Sequence, residues 1–265
     1  MTSARAAVRI ARFAGIALEA VGTSRLACDR SPAARALRLH AACAEIMRVH
    51  GVRLSVRGTL PNGPAVLVAN HVSYLDAIAI ASVTRCAPIA KSEVAAWPVV
   101  GSAAGGLGAI FVKRRSATAR VRTLRRALAV LSSGVPVLNF PEGTTTNGTV
   151  LLPFHRGIFG VARLANVPII PIAVRCSRQL AWHGNAPFLP HYLRMSATDP
   201  VIELDIGRPI PATAPADELA IVAHHRIAHA LRGQLEPHAT VIRLRVPAPR
   251  PDPVLPAPDR YHAHR

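Results

Sequence analysis

A histidine five residues ahead of an aspartate is the first combination able to do chemistry: Asn70-His71-Val72-Ser73-Tyr74-Leu75-Asp76, where an apolar run gives way to a helical pattern. On one regular helix, positions five apart fall on different faces. The two side chains meet only if His71 lies in the loop and Asp76 in the first helical turn, which is where the apolar pattern puts them. Asp76 would then fix the imidazole tautomer and stabilise the imidazolium, making His71 a general base for an alcohol. The competing reading is a capping histidine beside an aspartate that favours a helix N-terminus and does no chemistry. Chance supplies this spacing often, so the surroundings must decide.

Charge narrows the choice. The 265 residues carry 32 basic and 14 acidic side chains, a net charge of +18, and every base except Lys91 and Lys113 is arginine. The excess excludes cationic partners and points to nucleic acid, an anionic membrane surface or phosphorylated substrates. Nucleic acid is the minority reading: arginines lie throughout, aromatics are 4% of residues, and no zinc-finger or RNP-type signature occurs. Between positions 46 and 198 only Asp76, Glu93 and Glu142 are acidic, against 17 Lys and Arg, so each acid calls for a specific reason. Walker, GxGxxG, GxSxG and HExxH motifs are absent. Cys28, Cys43, Cys86 and Cys176 form no CxxC pair and have no histidine at metal spacing, which predicts no metal and reduced, mostly buried thiols on the cytosolic side.

The elements that must position these residues follow from periodicity. Residues 4–21 read as a helix with Arg5, Arg9 and Arg12 on one side and Val8, Phe13, Ile16 and Leu18 available to an apolar face. A second helix is expected over 31–49, with Ser31 as N-cap and Pro32 at the first position. Strands are expected at 52–56, 64–69, 88–90, 109–112, 135–140, 167–174 and 201–206, with helices at 75–83, 117–131 and 217–235. Such alternation predicts an α/β domain with a mixed, largely parallel sheet flanked by helices. The uncharged stretch 94–112 is long enough to span a bilayer, but Pro98 and four glycines favour a broken, protein-packed segment. Six prolines between 247 and 258 predict an extended tail.

Three further blocks follow the first: Gly108-Ala109-Ile110-Phe111-Val112-Lys113-Arg114, Phe140-Pro141-Glu142-Gly143-Thr144 and Val167-Pro168-Ile169-Ile170-Pro171. In this order the four resemble the glycerophospholipid acyltransferase family, whose patterns are NHxxxxD, GxxFxxR, FPEGT and VPxxP and whose bacterial type member acylates 1-acylglycerol 3-phosphate. The resemblance covers 53–174, with looser matches at Lys91-Ser92-Glu93 and Pro153-Phe154-His155-Arg156-Gly157. All three isolated acids fall inside it.

The resemblance implies that His71 takes the proton from an acceptor hydroxyl as it attacks an acyl thioester, either acyl-CoA or acyl carrier protein, while Asp76 orients the ring. A thioester has a good leaving group, so no covalent acyl-enzyme and no cofactor is needed, and Ser73 is a cap or spacer rather than a nucleophile. Arg114, helped by Lys113 or Arg115, matches the phosphate-binding position, and Glu142, Gly143 and Thr144 match the block that holds the acceptor's polar head. Lys91, Glu93, Phe111, Arg156 and Pro171 fall at acyl-pocket or supporting positions. The implied acceptor is 1-acyl-sn-glycerol 3-phosphate. The family often has arginine directly after the FPEGT block, where Thr145 stands here, and that departure opens lyso-ornithine lipid or another lysophospholipid as the alternative, with Arg156 as a substitute contact. The implied organisation is a membrane-docking helical pair at 1–50, a catalytic α/β domain at 51–245 and a Pro-rich tail at 246–265, held peripherally or monotopically on the cytoplasmic face of the membrane. The reading from a different class is a non-catalytic basic protein that binds membranes or nucleic acid through its arginines.

Overall fold

The computed structural model describes residues 2–60, 62–113, 116–184, 186–233 and 242–243. Helices α1 (Thr2–Leu26) and α2 (Pro32–Val49) lead into strand β1 (Arg53–Arg57). There follow β2 (Val66–Ala69), α3 (Tyr74–Ala81), β3 (Ala87–Lys91), α4 (Val100–Gly106), β4 (Ile110–Val112), α5 (Ala117–Ser132) and β5 (Val137–Asn139). The chain continues through α6 (Gly157–Ala165), β6 (Ile169–Cys176), α7 (Phe188–Ser196), β7 (Val201–Ile206), α8 (Ala216–Arg232) and the short β8 (Ile242–Arg243). The strands form one sheet in the order β4-β3-β5-β2-β6-β7-β1-β8. The five strands from β4 to β6 are parallel, and β7 meets β6 antiparallel, which is the mixed, largely parallel sheet the periodicity predicts.

Alternation along each central strand divides the core in two. Val66 and Val68 of β2 point to one face with Val137, Ile169 and Ala173, and α5, α6 and α8 cover it. Leu67 and Ala69 point to the other face with Leu138, Ile170 and Ile172, under α1, α2, α3, α4 and α7. A strand buried on both faces reads as an unbroken apolar run, which is why β2 and β6 stand out in the sequence. The parallel arrangement also gathers the carboxyl ends of β2 to β6 along one edge, and ligand sites of open α/β sheets form outside such an edge. Each of the sequence blocks from His71 to Glu142 follows one of these ends.

Three local results differ from the periodicity or go beyond it. The 94–112 stretch breaks into a 3-10 turn (Ser92–Ala96), α4 and β4, and no described helix is long and apolar enough to cross a membrane. Helices α6 and α7 were not expected; α7 carries Pro190 in its first turn, where a missing N–H costs nothing. In α1 the expected division into a basic side and an apolar side does not hold. Arg9 is buried and donates to the Ser196 and Thr198 carbonyls at the end of α7, where a cation offsets unpaired helix carbonyls. Val8 and Leu18 face outward instead, at 54% and 59% exposure. Of the cysteines, Cys43 and Cys86 are buried, Cys176 is half-buried and Cys28 is exposed. The Pro-rich tail at 246–265 lies outside the described residues.

Candidate active site

His71 sits in the loop between β2 and α3, and Asp76 is the third residue of α3. The sequence folds this way because Ser73 caps the helix while the Asp76 carboxylate reaches back over the first turn, a reciprocal capping arrangement. Asp76 Oδ2 accepts from the backbone N–H of Val72 at 2.7 Å and of Ser73 at 2.8 Å, and from His71 Nδ1 at 2.9 Å. A carboxylate only accepts, so Nδ1 carries the hydrogen and Nε2 is left with a lone pair. The Asp76 side chain is 1% exposed and that of His71 15%, so the pair is anchored inward and open on one side.

The ring plane is fixed independently. His71 stacks on Phe140 with centroids 4.0 Å apart and 17° between planes. The stack leaves both ring nitrogens at its edge, and when the imidazole takes a proton during turnover the π face offers a cation–π contact.

The loop backbone is held at four points. Asn70 splices β2 to β6: its Nδ2 donates to the Val174 carbonyl at 2.9 Å and its Oδ1 accepts from the Val174 N–H at 2.7 Å. The Thr146 N–H donates to the His71 carbonyl at 2.9 Å, and the Trp182 N–H to the Val72 carbonyl at 2.8 Å. Glu142 supplies the fourth hold. Its Oε1 accepts from the His71 N–H at 2.7 Å and its Oε2 from the Leu152 N–H at 3.0 Å. Burial pushes the Glu142 carboxyl above its ordinary range, against the opposing pull of those two N–H groups and of His71. One histidine is thus clamped by two buried acids, Asp76 through its side chain and Glu142 through its backbone.

The remaining candidates are less gathered. Gly143, at φ +74°, is required as glycine: a Cβ would stand 3.1 Å from the His155 ring. Thr144 is exposed, Thr145 half-buried and Thr146 buried. Lys113 is exposed just past β4 on the same carboxyl edge, while Arg114 and Arg115 lie outside the described residues. Lys91 and Glu93 pair with each other at 3.2 Å on the surface, so the third isolated acid does not join the other two. Arg156 is exposed and pairs with Asp217 at 3.4 Å. Phe111 is half-buried on β4 beside Gly105, and Pro171 is buried in β6 opposite Val68, its carbonyl accepting from the Gly207 N–H. Among the described residues no His, Cys, Asp or Glu group is arranged to hold a metal.

Sequence reasoning gave no task to Asn70, Phe140, Thr146 or Trp182. Asn70 and Phe140 stand inside the quoted blocks and were within reach. Thr146 and Trp182 act through backbone N–H groups, which every residue but proline has, and no side-chain pattern marks them.

A model of the Acyltransferase family matches residues 47–175. The chain is 32% identical to the lyso-ornithine lipid O-acyltransferase of Brucella abortus over 199 residues, 66% of this chain and 74% of that one. It is 34% identical to the protein of the same name from Pseudomonas aeruginosa over 193 residues, 70% of this chain and 74% of that one. Human 1-acyl-sn-glycerol-3-phosphate acyltransferase alpha is 38% identical over 135 residues, 49% of this chain and 48% of that one. The fold is that of the crystal structure of a 1-acyl-sn-glycerophosphate acyltransferase from Thermotoga maritima, at TM-score 0.65 and 23% identity over 87% of this chain and 96% of the other.

Proposed function

Because this chain belongs to the acyltransferase family, we propose that it transfers a fatty acyl chain from an acyl thioester to the free hydroxyl of a lysolipid, with His71 as general base. The observation that carries the assignment is the Nδ1 contact to Asp76 at 2.9 Å, which presents the Nε2 lone pair to an incoming hydroxyl. In this reading the acceptor oxygen attacks the thioester carbonyl carbon as its proton passes to Nε2. The tetrahedral adduct collapses with cleavage of the carbon–sulfur bond, and the imidazolium returns the proton to the departing thiolate. Asp76 stays ionised and holds the ring in the required tautomer throughout. No covalent acyl-enzyme and no cofactor enters these steps; the thioester, on CoA or a carrier protein, is a substrate. Membership of an enzyme family sets aside the reading of the charge as that of a non-catalytic binding protein.

Two observations favour a lyso-ornithine lipid as the acceptor. Thr145 stands where a phosphate-binding arginine is often found, and Arg156, the substitute contact, is paired with Asp217. The Brucella and Pseudomonas relatives named for lyso-ornithine lipid also align over 74% of their length, against 48% for the human relative named for 1-acylglycerol 3-phosphate. Lysophosphatidate is the second reading, supported by Lys113 on the edge that carries His71. The deciding experiment presents lyso-ornithine lipid, lysophosphatidate and lysophosphatidylcholine in liposomes, each with palmitoyl and oleoyl donors, and follows thiol release. Fastest release with lyso-ornithine lipid is expected; a rate that ignores the acceptor would overturn acyl transfer altogether.

A further inference from the structure

The chain has only two tryptophans, Trp97 and Trp182. They come from separate loops and meet with ring centroids 5.9 Å apart. Phe188, the first residue of α7, closes the group, 4.3 Å from Trp97 and 5.1 Å from Tyr74. All three outer rings are half-buried. From Phe188 the outer face of α7 continues with Leu189 and, one turn on, Leu193, which are 60% and 44% exposed. Val99 adds a third bare aliphatic side chain at 37% exposure.

Val99 is held in an unusual backbone state. Its φ is +61°, a region that a β-branched residue rarely occupies. The turn around it has no slack: a Cβ on Gly101 would fall 2.3 Å from the Ala95 carbonyl oxygen. Strain of this kind persists only where the surroundings impose it, and here it keeps an apolar tip outside the core.

The rim of the patch is basic. Arg194 shares the exposed face of α7 with Leu193, and exposed Arg12 projects from the part of α1 that Arg9 ties to the end of α7, where Arg5 is already paired with Asp199. The patch also adjoins the catalytic loop, since the Trp182 N–H bonds the Val72 carbonyl and the Tyr74 ring packs edge-on to Trp182.

We propose that Trp97, Val99, Trp182, Leu189 and Leu193 form the surface that enters the headgroup layer of an anionic membrane, delivering the acceptor lipid beside His71. The inference rests on the lysolipid acyltransferase reading for the identity of what is delivered. Indole rings seat at the boundary of apolar chains and water, bare leucines gain by entering the chains, and arginines around them meet anionic headgroups. A membrane fits the combination better than a second copy of this chain, whose identical basic rim would repel.

The two tryptophans make the test intrinsic. The full chain is titrated with phosphatidylglycerol-containing vesicles and with pure phosphatidylcholine vesicles while tryptophan emission and its quenching by acyl-chain-brominated lipid are recorded. A blue shift and quenching that are strongest on the anionic vesicles are expected. Leu189→Asp with Leu193→Asp, both at exposed positions, should lower vesicle partitioning by at least about tenfold with an unchanged thermal midpoint. Vesicle flotation with unshifted, unquenched emission would overturn the proposal, because another face would then be docking. A blue shift that grows with protein concentration without vesicles would overturn it in favour of self-association. A parallel assay of the wild type with detergent-dispersed acceptor separates the two readings: quenching without turnover supports the surface and removes the acyl transfer.

Discussion

The two faces of the sheet are built to opposite specifications. Under α5, α6 and α8 the core is aliphatic, with Phe159 fully buried and the helices' outer sides given to arginines such as Arg122 and Arg125. Under α1, α2, α3, α4 and α7 lie Tyr74, Tyr192 and Phe188, with both tryptophans at the outer margin, buried polar side chains such as Asn70, Ser73 and Asp76, and the half-open imidazole. The first face holds the sheet together; the second spends burial on polar groups that must each find a partner. That contrast teaches where changes are felt as lost folding and where as lost turnover.

Experiments can push on the contrast in order of expected size. Replacing His71 with alanine removes a base from the open face, so turnover should fall by about 10³- to 10⁴-fold. The thermal midpoint should not move; near-normal turnover would end the assignment of the base. On the sealed face, Phe159→Ala should cost about 3–5 kcal/mol of stability in urea unfolding while leaving turnover per folded molecule intact. A fall in specific turnover there would show that the faces are not separable.

Phe140→Leu tests the point where the two specifications meet, because the ring is 7% exposed yet stacks on His71. It keeps most of the apolar volume and removes the π face, so kcat should drop about 2- to 30-fold with KM unchanged. A change confined to KM would mean that the ring contacts substrate.

The smallest effect concerns pH. Burial, with the Arg9 charge beside it, holds His50 below its ordinary value, against the opposing pull of the hydrogen bond from its Nδ1 to the Ile46 carbonyl; the Tyr192 hydroxyl lies 3.1 Å from Nε2. Burial and Arg194 lower His191 in the same way. A base with a depressed folded value takes its proton later when folded than when unfolded. Stability is therefore level above about pH 6.5 and falls as the pH drops below that value, where the unfolded chain protonates first. Urea midpoints at several pH values should show this, and His50→Phe should flatten part of the slope.

Much of this was legible in the sequence, for reasons tied to particular residues. The run at 66–69 and the alternation around it announce a strand buried on both faces, and the change of period after Asp76 announces its helix. The near-absence of acids singled out Asp76 and Glu142, which do converge on one histidine. The acid count could not reveal the task of Glu142, since its partners are the N–H groups of His71 and Leu152, nor show that Glu93 stays on the surface with Lys91. Arg9 misled because a helical wheel treats arginine as outward, while the carbonyls it caps belong to an element almost two hundred residues away. The aromatic patch had no motif because its members come from three separate segments and become neighbours only in space.

Three of the four cysteines amount to a set of clocks running at different rates. A thiol alkylates as its thiolate and only when reached. Cys28, in the exposed link between α1 and α2, is open to reagent at once. Burial pushes the Cys43 thiol of α2 up to about 12, and the Cys86 thiol higher still, so these two wait for local opening of the fold. Mass spectrometry of the alkylated protein can thus time how often α2 lifts from the sheet, in water and on a membrane, without substituting any residue of the chain.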